Sequence, residues 1–63
     1  MRNKRIRKAM TDADINQNML SDILGISKVE VSYMMKHELA VREQNDIVAK
    51  VREWDALRKR GMA

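Results

Sequence analysis

Apolar positions at helical spacing, an almost complete lack of chain breakers and one full helix-start signal predict an all-α fold, a compact domain of four to five helices. The 63-residue chain has no proline and two glycines, Gly25 and Gly61. No stretch alternates apolar and polar residues long enough for a strand, whereas apolar residues recur every three to four positions. The length predicts a single domain over residues 1–63. A chain this short hides only about 60% of its unfolded surface, and its core rarely supplies more than roughly 3–5 kcal/mol. Burial against a partner is an expected source of further stability.

The elements follow in order. Ile6, Ala9 and Met10 mark one face of a basic first helix, roughly 2–11. Residues 11–15, Thr-Asp-Ala-Asp-Ile, read as a connection, because Thr and Asp favour caps and turns. Asn16 is a good N-cap for a second helix with Leu20, Ile23 and Leu24 on one side. Gly25 follows directly, the residue best suited to a left-handed helix end. Ser27-Lys28-Val29-Glu30 fits the capping box, in which the serine caps the Glu30 amide and the glutamate reaches back to the Ser27 amide. Ile26 packs onto Val31 as the accompanying hydrophobic staple. The third helix then runs from Lys28 to about Lys36, with Val31, Met34 and Met35 inward. A fourth carries Ile47, Val51, Trp54 and Leu57 at i, i+4, i+7 and i+10. Glu43 to Asp46 offers it an acidic first turn, Arg58 to Arg60 a basic last turn, and Gly61 a stop. Residues 38–46 remain open between a helix of their own and a long loop.

Charge is unevenly spread. Residues 1–8 hold Arg2, Lys4, Arg5, Arg7 and Lys8 without an acid, and residues 58–63 hold three further bases. All nine acids lie between them, so a mildly acidic body carries basic ends and the net charge is +4. Basic ends commonly sit on phosphates, where neutralisation releases counterions, or else they keep a small protein soluble. The absence of cysteine excludes disulfides, cysteine-based zinc sites and thiol nucleophiles. His37 is the lone histidine and cannot build a metal site or a proton relay by itself. Asp12 and Asp14 lie in a polar connection, where nothing perturbs them toward catalysis. The chain is therefore not expected to be an enzyme and is expected to need no cofactor. No apolar run approaches the roughly 18 residues of a membrane span. The expectation is a small, soluble, cytoplasmic domain without a membrane partner.

The second and third helices carry the functional signal. Separated by Gly25-Ile26-Ser27 alone, they must cross steeply, with Ser21 as the small residue at the close approach. Leu20, Leu24, Ile26, Val31 and Met34 supply their shared apolar wedge. This is a central helix-turn-helix over 17–36, an arrangement whose second helix can enter the DNA major groove. Residues 5–36, from Arg5-Ile6-Arg7 through Gln17-Asn18-Met19-Leu20-Ser21 and Leu24-Gly25-Ile26-Ser27 to Val31-Ser32, resemble the Cro/repressor-type family, also called xenobiotic-response-element type. The resemblance covers about half the chain. It implies a bacterial or phage transcription regulator, usually a homodimer, that reads double-stranded operator DNA without a cofactor.

Residue by residue, the resemblance makes Gln17 the glutamine that opens the second helix and touches a phosphate. Ser27, Lys28, Val29 and Ser32 match positions facing the groove. Tyr33 and Lys36 fall further along the recognition helix, near the DNA backbone, and Arg2, Lys4 and Arg5 form a basic arm or add phosphate contacts. Ser21 stands where alanine is usual, Asp14 where glycine is common and His37 where glycine usually ends the third helix. Asp and His are among the better non-glycine choices at positive φ. The family's customary helices beyond position 37 look shortened here, which bears on the dimer surface.

Several of these residues also have plainer roles. Lys28 either donates to guanine or is a solvated lysine, and Val29 either meets a thymine methyl or packs on the first turn. Glu30 is explained by its cap, and Tyr33 either bonds a phosphate or shields the core. Met10, Met19, Met34 and Met35 are expected to fill gaps in the core. Trp54 either closes the core or, with Leu57, anchors a dimer seam. Residues 17–37 hold two bases against two acids, so a recognition surface there leans on the basic ends. The expected function is a Cro-like repressor that binds operator DNA as a dimer. The alternative is a protein-binding module on the same fold, either an antirepressor or modulator of a larger repressor, or an antitoxin.

Overall fold

The computed structural model describes residues 2–61, and four helices account for most of them: α1 (Lys4–Ala13), α2 (Gln17–Leu24), α3 (Lys28–Lys36) and α4 (Val41–Gly61). No strand occurs among the described residues, and the fold is all-α. Helix α1 starts two residues later than the spacing predicts and continues through 11–13, which the sequence reading assigned to a connection. Burial explains the extension. Ala13 continues the stripe of Ile6, Ala9 and Met10, and all four are buried. The turn-favouring residues are satisfied inside the helix: Thr11 Oγ1 donates to the Arg7 carbonyl at 3.0 Å, and Lys8 pairs with Asp12 at 3.0 Å.

Helices α1 and α2 end alike. Asp14 at the end of α1 is left-handed (φ 57°, ψ 50°), as is Gly25 at the end of α2 (φ 69°, ψ 31°). In each case the left-handed residue's N–H returns to the carbonyl three back, and the next N–H to the carbonyl five back: Ile15 to Met10 at 3.0 Å, Ile26 to Ser21 at 3.1 Å. This paired pattern is the Schellman ending. Asparagine and aspartate tolerate the left-handed region far better than most non-glycine residues. Asp14 therefore fills the place that Gly25 fills one helix later.

The end of α3 differs from expectation. His37 was expected at positive φ, but it is extended (φ −122°, ψ 143°), and the chain leaves α3 along a strap over residues 37–40 instead of reversing tightly. The remaining left-handed residue is Asn3 (φ 54°, ψ 46°), just before α1. Beyond the strap there is neither a separate helix nor a long loop. Helix α4 begins at Val41 and runs 21 residues, about 31 Å at the standard rise. It packs along α1 and against α2, and α2 packs on α3. Ile6, Ala9, Met10, Ala13, Leu20, Val31, Met35 and Val51 form the core, ringed by Ile15, Leu24, Ile26, Leu39, Ile47 and Val48. The methionines divide: Met10 and Met35 are buried, Met19 and Met34 half-buried.

Candidate nucleic-acid interface

Short-range chemistry builds the α2–turn–α3 unit. Asn16 Oδ1 accepts the Met19 N–H at 2.9 Å and starts α2. Ser21 is buried, and its hydroxyl donates to the Asn18 carbonyl at 2.6 Å, so a polar residue at the expected close approach leaves no orphan donor. Ser27 Oγ accepts the Glu30 N–H at 3.1 Å and starts α3. Only that half of the expected capping box forms. The Glu30 carboxylate meets the Ser27 hydroxyl at 3.4 Å, not the Ser27 amide.

With its start fixed, α3 divides into two faces. Val31 and Met35 are buried and Met34 is half-buried, while Lys28, Glu30 and Lys36 are exposed and Ser32 is half-buried. Val29 is 78% exposed and Tyr33 67% exposed, so neither packs on the first turn or shields the core. Tyr33 instead tilts against His37, with ring centroids 4.5 Å apart and planes at 48°. Ser27 and Gln17 are exposed at the first turns of their helices. The expected contact residues on α2 and α3 therefore all reach solvent at least in part.

The basic N-terminal segment is not a free arm. Lys4, Arg5, Arg7 and Lys8 belong to α1, and the two residues before it are tied down. Arg2 Nη1 donates to the Lys36 carbonyl at 2.6 Å, and Arg7 Nε donates to the Arg2 carbonyl at 2.8 Å. A cation thus caps the carbonyl end of α3, where the helix dipole is negative and would otherwise repel an anion. Arg5 turns elsewhere, to Asn45 Oδ1 on α4 at 3.4 Å. Arg2, Lys4 and Arg5 are exposed, but only Arg2 bonds directly to α3.

Sequence reasoning missed the residue that ties these parts together. Asn3 is fully buried, and its Nδ2 donates to the Met34 and His37 carbonyls at 2.9 Å each. Its Oδ1 accepts the Leu39 N–H at 2.8 Å, and its own N–H donates to Glu38 Oε2 at 2.7 Å. From the opposite side, buried Gln44 on α4 donates through Nε2 to the Leu39 carbonyl at 2.8 Å and to Glu38 Oε1 at 3.3 Å. Gln44 Oε1 is buried without a hydrogen-bond partner among the described residues. The strap after α3 is thus clipped between α1 and α4. The one available signal was an asparagine just before a helix, a residue type enriched at positive φ.

The two residues proposed for a dimer seam lie apart from α3. Trp54 is half-buried beside a groove lined by Met19, Asp22 and Ile23, and it does not join the core cluster. The Arg58 guanidinium lies 4.7 Å from the centre of its ring. Leu57 is 58% exposed. The basic C-terminal end is drawn inward here: Asp55 binds Arg58 at 2.6 Å and Lys59 at 2.9 Å. These cations, the Lys59 hydrogen bond foremost, hold the Asp55 carboxyl below its ordinary value against the opposing effect of burial. No helix among the described residues is long and apolar enough to cross a membrane, and no group of three or more His, Cys, Asp or Glu residues among them is placed to hold a metal ion. Comparisons with protein-family models, with curated proteins and with solved structures find no match to this chain.

Proposed function

We propose that the protein is a sequence-specific DNA-binding transcription regulator, a Cro-like repressor in the cytoplasm of a bacterial or phage-infected cell that binds operator DNA as a homodimer. The observation that carries this reading is the outer face of α3. Lys28, Val29, Tyr33 and Lys36 are exposed there, with Ser32 between them, on a helix whose start is fixed by a capped three-residue turn. Lys28 suits a guanine edge, Val29 a thymine methyl and Ser32 either kind of base. Gln17, Tyr33, Lys36, Arg2 and Lys4 then hold phosphates and set the register, with Ser27 facing the groove beside Lys28, while Arg5 adds positive field from the α4 side. Trp54 and Leu57 form the seam between copies, placing half-sites about 34 Å apart, one turn of B-DNA. Occupancy of such a site excludes polymerase or a competing repressor.

Selection from a pool of duplexes with randomised centres tests this reading. The wild type should enrich one sequence and bind it about 10³-fold more tightly than a scrambled duplex. Affinity should fall by orders of magnitude between about 50 and 200 mM salt if six or more phosphates are contacted. Lys28→Ala and Ser32→Ala should each erase the sequence preference. Equal, weak binding of every duplex would overturn the proposal.

The exposure of Val29 and Tyr33, on a helix with only two bases, favours a second reading in which α3 faces a protein. The chain would then modulate a larger repressor or mask a toxin. That reading predicts no enrichment in the same selection and a stoichiometric complex with a purified repressor or toxin encoded beside it.

A further inference from the structure

We propose that Asn3 is a positioning residue that locks α3 to the N-terminal end of α1, so that the outer face of α3 and the bases Arg2 and Lys4 present as one rigid surface. The inference rests on the DNA-binding reading for its consequence but not for its geometry. Asn3 is the only fully buried polar residue among those described, and it satisfies three backbone groups 31 to 36 residues away in sequence: the Met34 carbonyl, the His37 carbonyl and the Leu39 N–H. Two of those groups belong to the last turn and cap of α3, and the third lies on the strap that leads to α4.

The left-handed backbone at Asn3 (φ 54°) is what turns its side chain and its N–H toward the strap together. Few residues other than glycine adopt this conformation readily, and of those few asparagine supplies both a donor and an acceptor. Its neighbour Arg2 caps the Lys36 carbonyl, so two consecutive residues satisfy three of the carbonyls at the end of α3. A helix end is normally the carbonyl-rich, negative end of its dipole. Here the Arg2 guanidinium sits on the Lys36 carbonyl, and Asn3 sets the register of α1 against the end of α3. The core does not supply this register: α1 packs chiefly on α4, and α3 chiefly on α2. Without the Asn3 bonds, the end of α3 is held to α1 by Arg2 and by core contacts alone.

Asn3→Gly separates this role from folding, because glycine keeps the left-handed backbone and removes only the side chain. Ala13→Gly, at the opposite end of α1, is the comparison variant, and the two are read at temperatures giving equal fractions folded. The probes are amide hydrogen exchange and binding to the duplex selected by the wild type beside its scrambled version. For Asn3→Gly, exchange at Lys36, His37 and Leu39 should rise about tenfold, the loss of roughly one buried bond's protection. Its preference for the selected duplex should fall about tenfold, and Ala13→Gly should keep both properties. Identical exchange patterns in the two variants would overturn the lock. Faster exchange with unchanged duplex preference would overturn its positioning role. A wild type without duplex preference would overturn the DNA consequence together with the proposed function, and the exchange pattern would still decide whether the lock exists.

Discussion

The two ends of α3 are held by opposite kinds of chemistry. At its start, every stabilising bond is local: Ser27 caps Glu30 three residues on, and Gly25 ends the preceding helix two residues before the cap. At its end, beside one local cap bond from the His37 N–H to the Met34 carbonyl at 3.3 Å, the side-chain bonds come from residues 31 to 36 positions away, through Asn3 and Arg2. The start is therefore assembled by the same residues that define it, and it can form early, with little loop closure to overcome. The side-chain fastening of the end exists only once α1, α3 and the strap have met. An interface placed on α3 thus has one end set by local sequence and the other set by the whole fold.

Substitutions can break or sharpen that contrast. The largest effect belongs to the core that both ends share. Leu20→Ala removes a fully buried side chain, and a cost of about 2–5 kcal/mol should leave much of so small a domain unfolded, as read by circular dichroism in urea. Next comes Asn3→Ala, which strands buried carbonyls and an N–H and also forces alanine into the left-handed region. A loss of about 2 kcal/mol or more is expected, with Asn3→Gly less costly. If Asn3→Ala unfolded at the wild-type midpoint, the far end of α3 would not depend on the latch.

Ser27→Ala should cost about 1 kcal/mol and loosen only the first turn of α3, leaving exchange at Leu39 as it was. Faster exchange at both ends would mean that the two are coupled, contrary to the contrast. The smallest effect concerns Asp55, another local pair. Because its carboxyl is held below the ordinary value, its contribution is complete above the usual carboxylate range and fades as pH falls through the lowered value. Thermal midpoints of the wild type and Asp55→Asn should therefore differ at neutral pH and converge in acid.

The same division explains what the sequence disclosed. Asn16, Gly25 and Ser27 were legible because each acts within a few residues of itself, and Asp14 was legible as a stand-in for glycine. Helix α1 runs past its expected end because Thr11 and Asp12 favour a turn only locally, whereas Ala13 is buried against distant partners. His37 departs from the expected positive φ for a related reason: with Asn3 and Gln44 holding the strap, α3 needs no left-handed ending. Glu38 and Gln44 carried no local signal, and Asn3 only that of an asparagine just before a helix, since the partners of all three are set by tertiary geometry. In the candidate interface, the resemblance alone pointed to Lys28 and Lys36 as outward residues, and the sequence left Val29 and Tyr33 open between core and surface, which their exposure decides. It could not show that Arg2 reaches Lys36 while Arg5 turns to Asn45.

The most direct test of the account is a titration of ¹⁵N-labelled protein with the selected duplex, followed amide by amide. The account predicts shifts concentrated at Gln17, at Ser27 to Tyr33 and at Lys36, with smaller changes at Arg2 and Lys4. The groove formed by Met19, Ile23 and Trp54, at the proposed seam between copies, should respond more weakly, through dimer formation on the duplex. Shifts centred on α4, with α3 unmoved, would contradict the assignment of α3 as the surface that meets DNA.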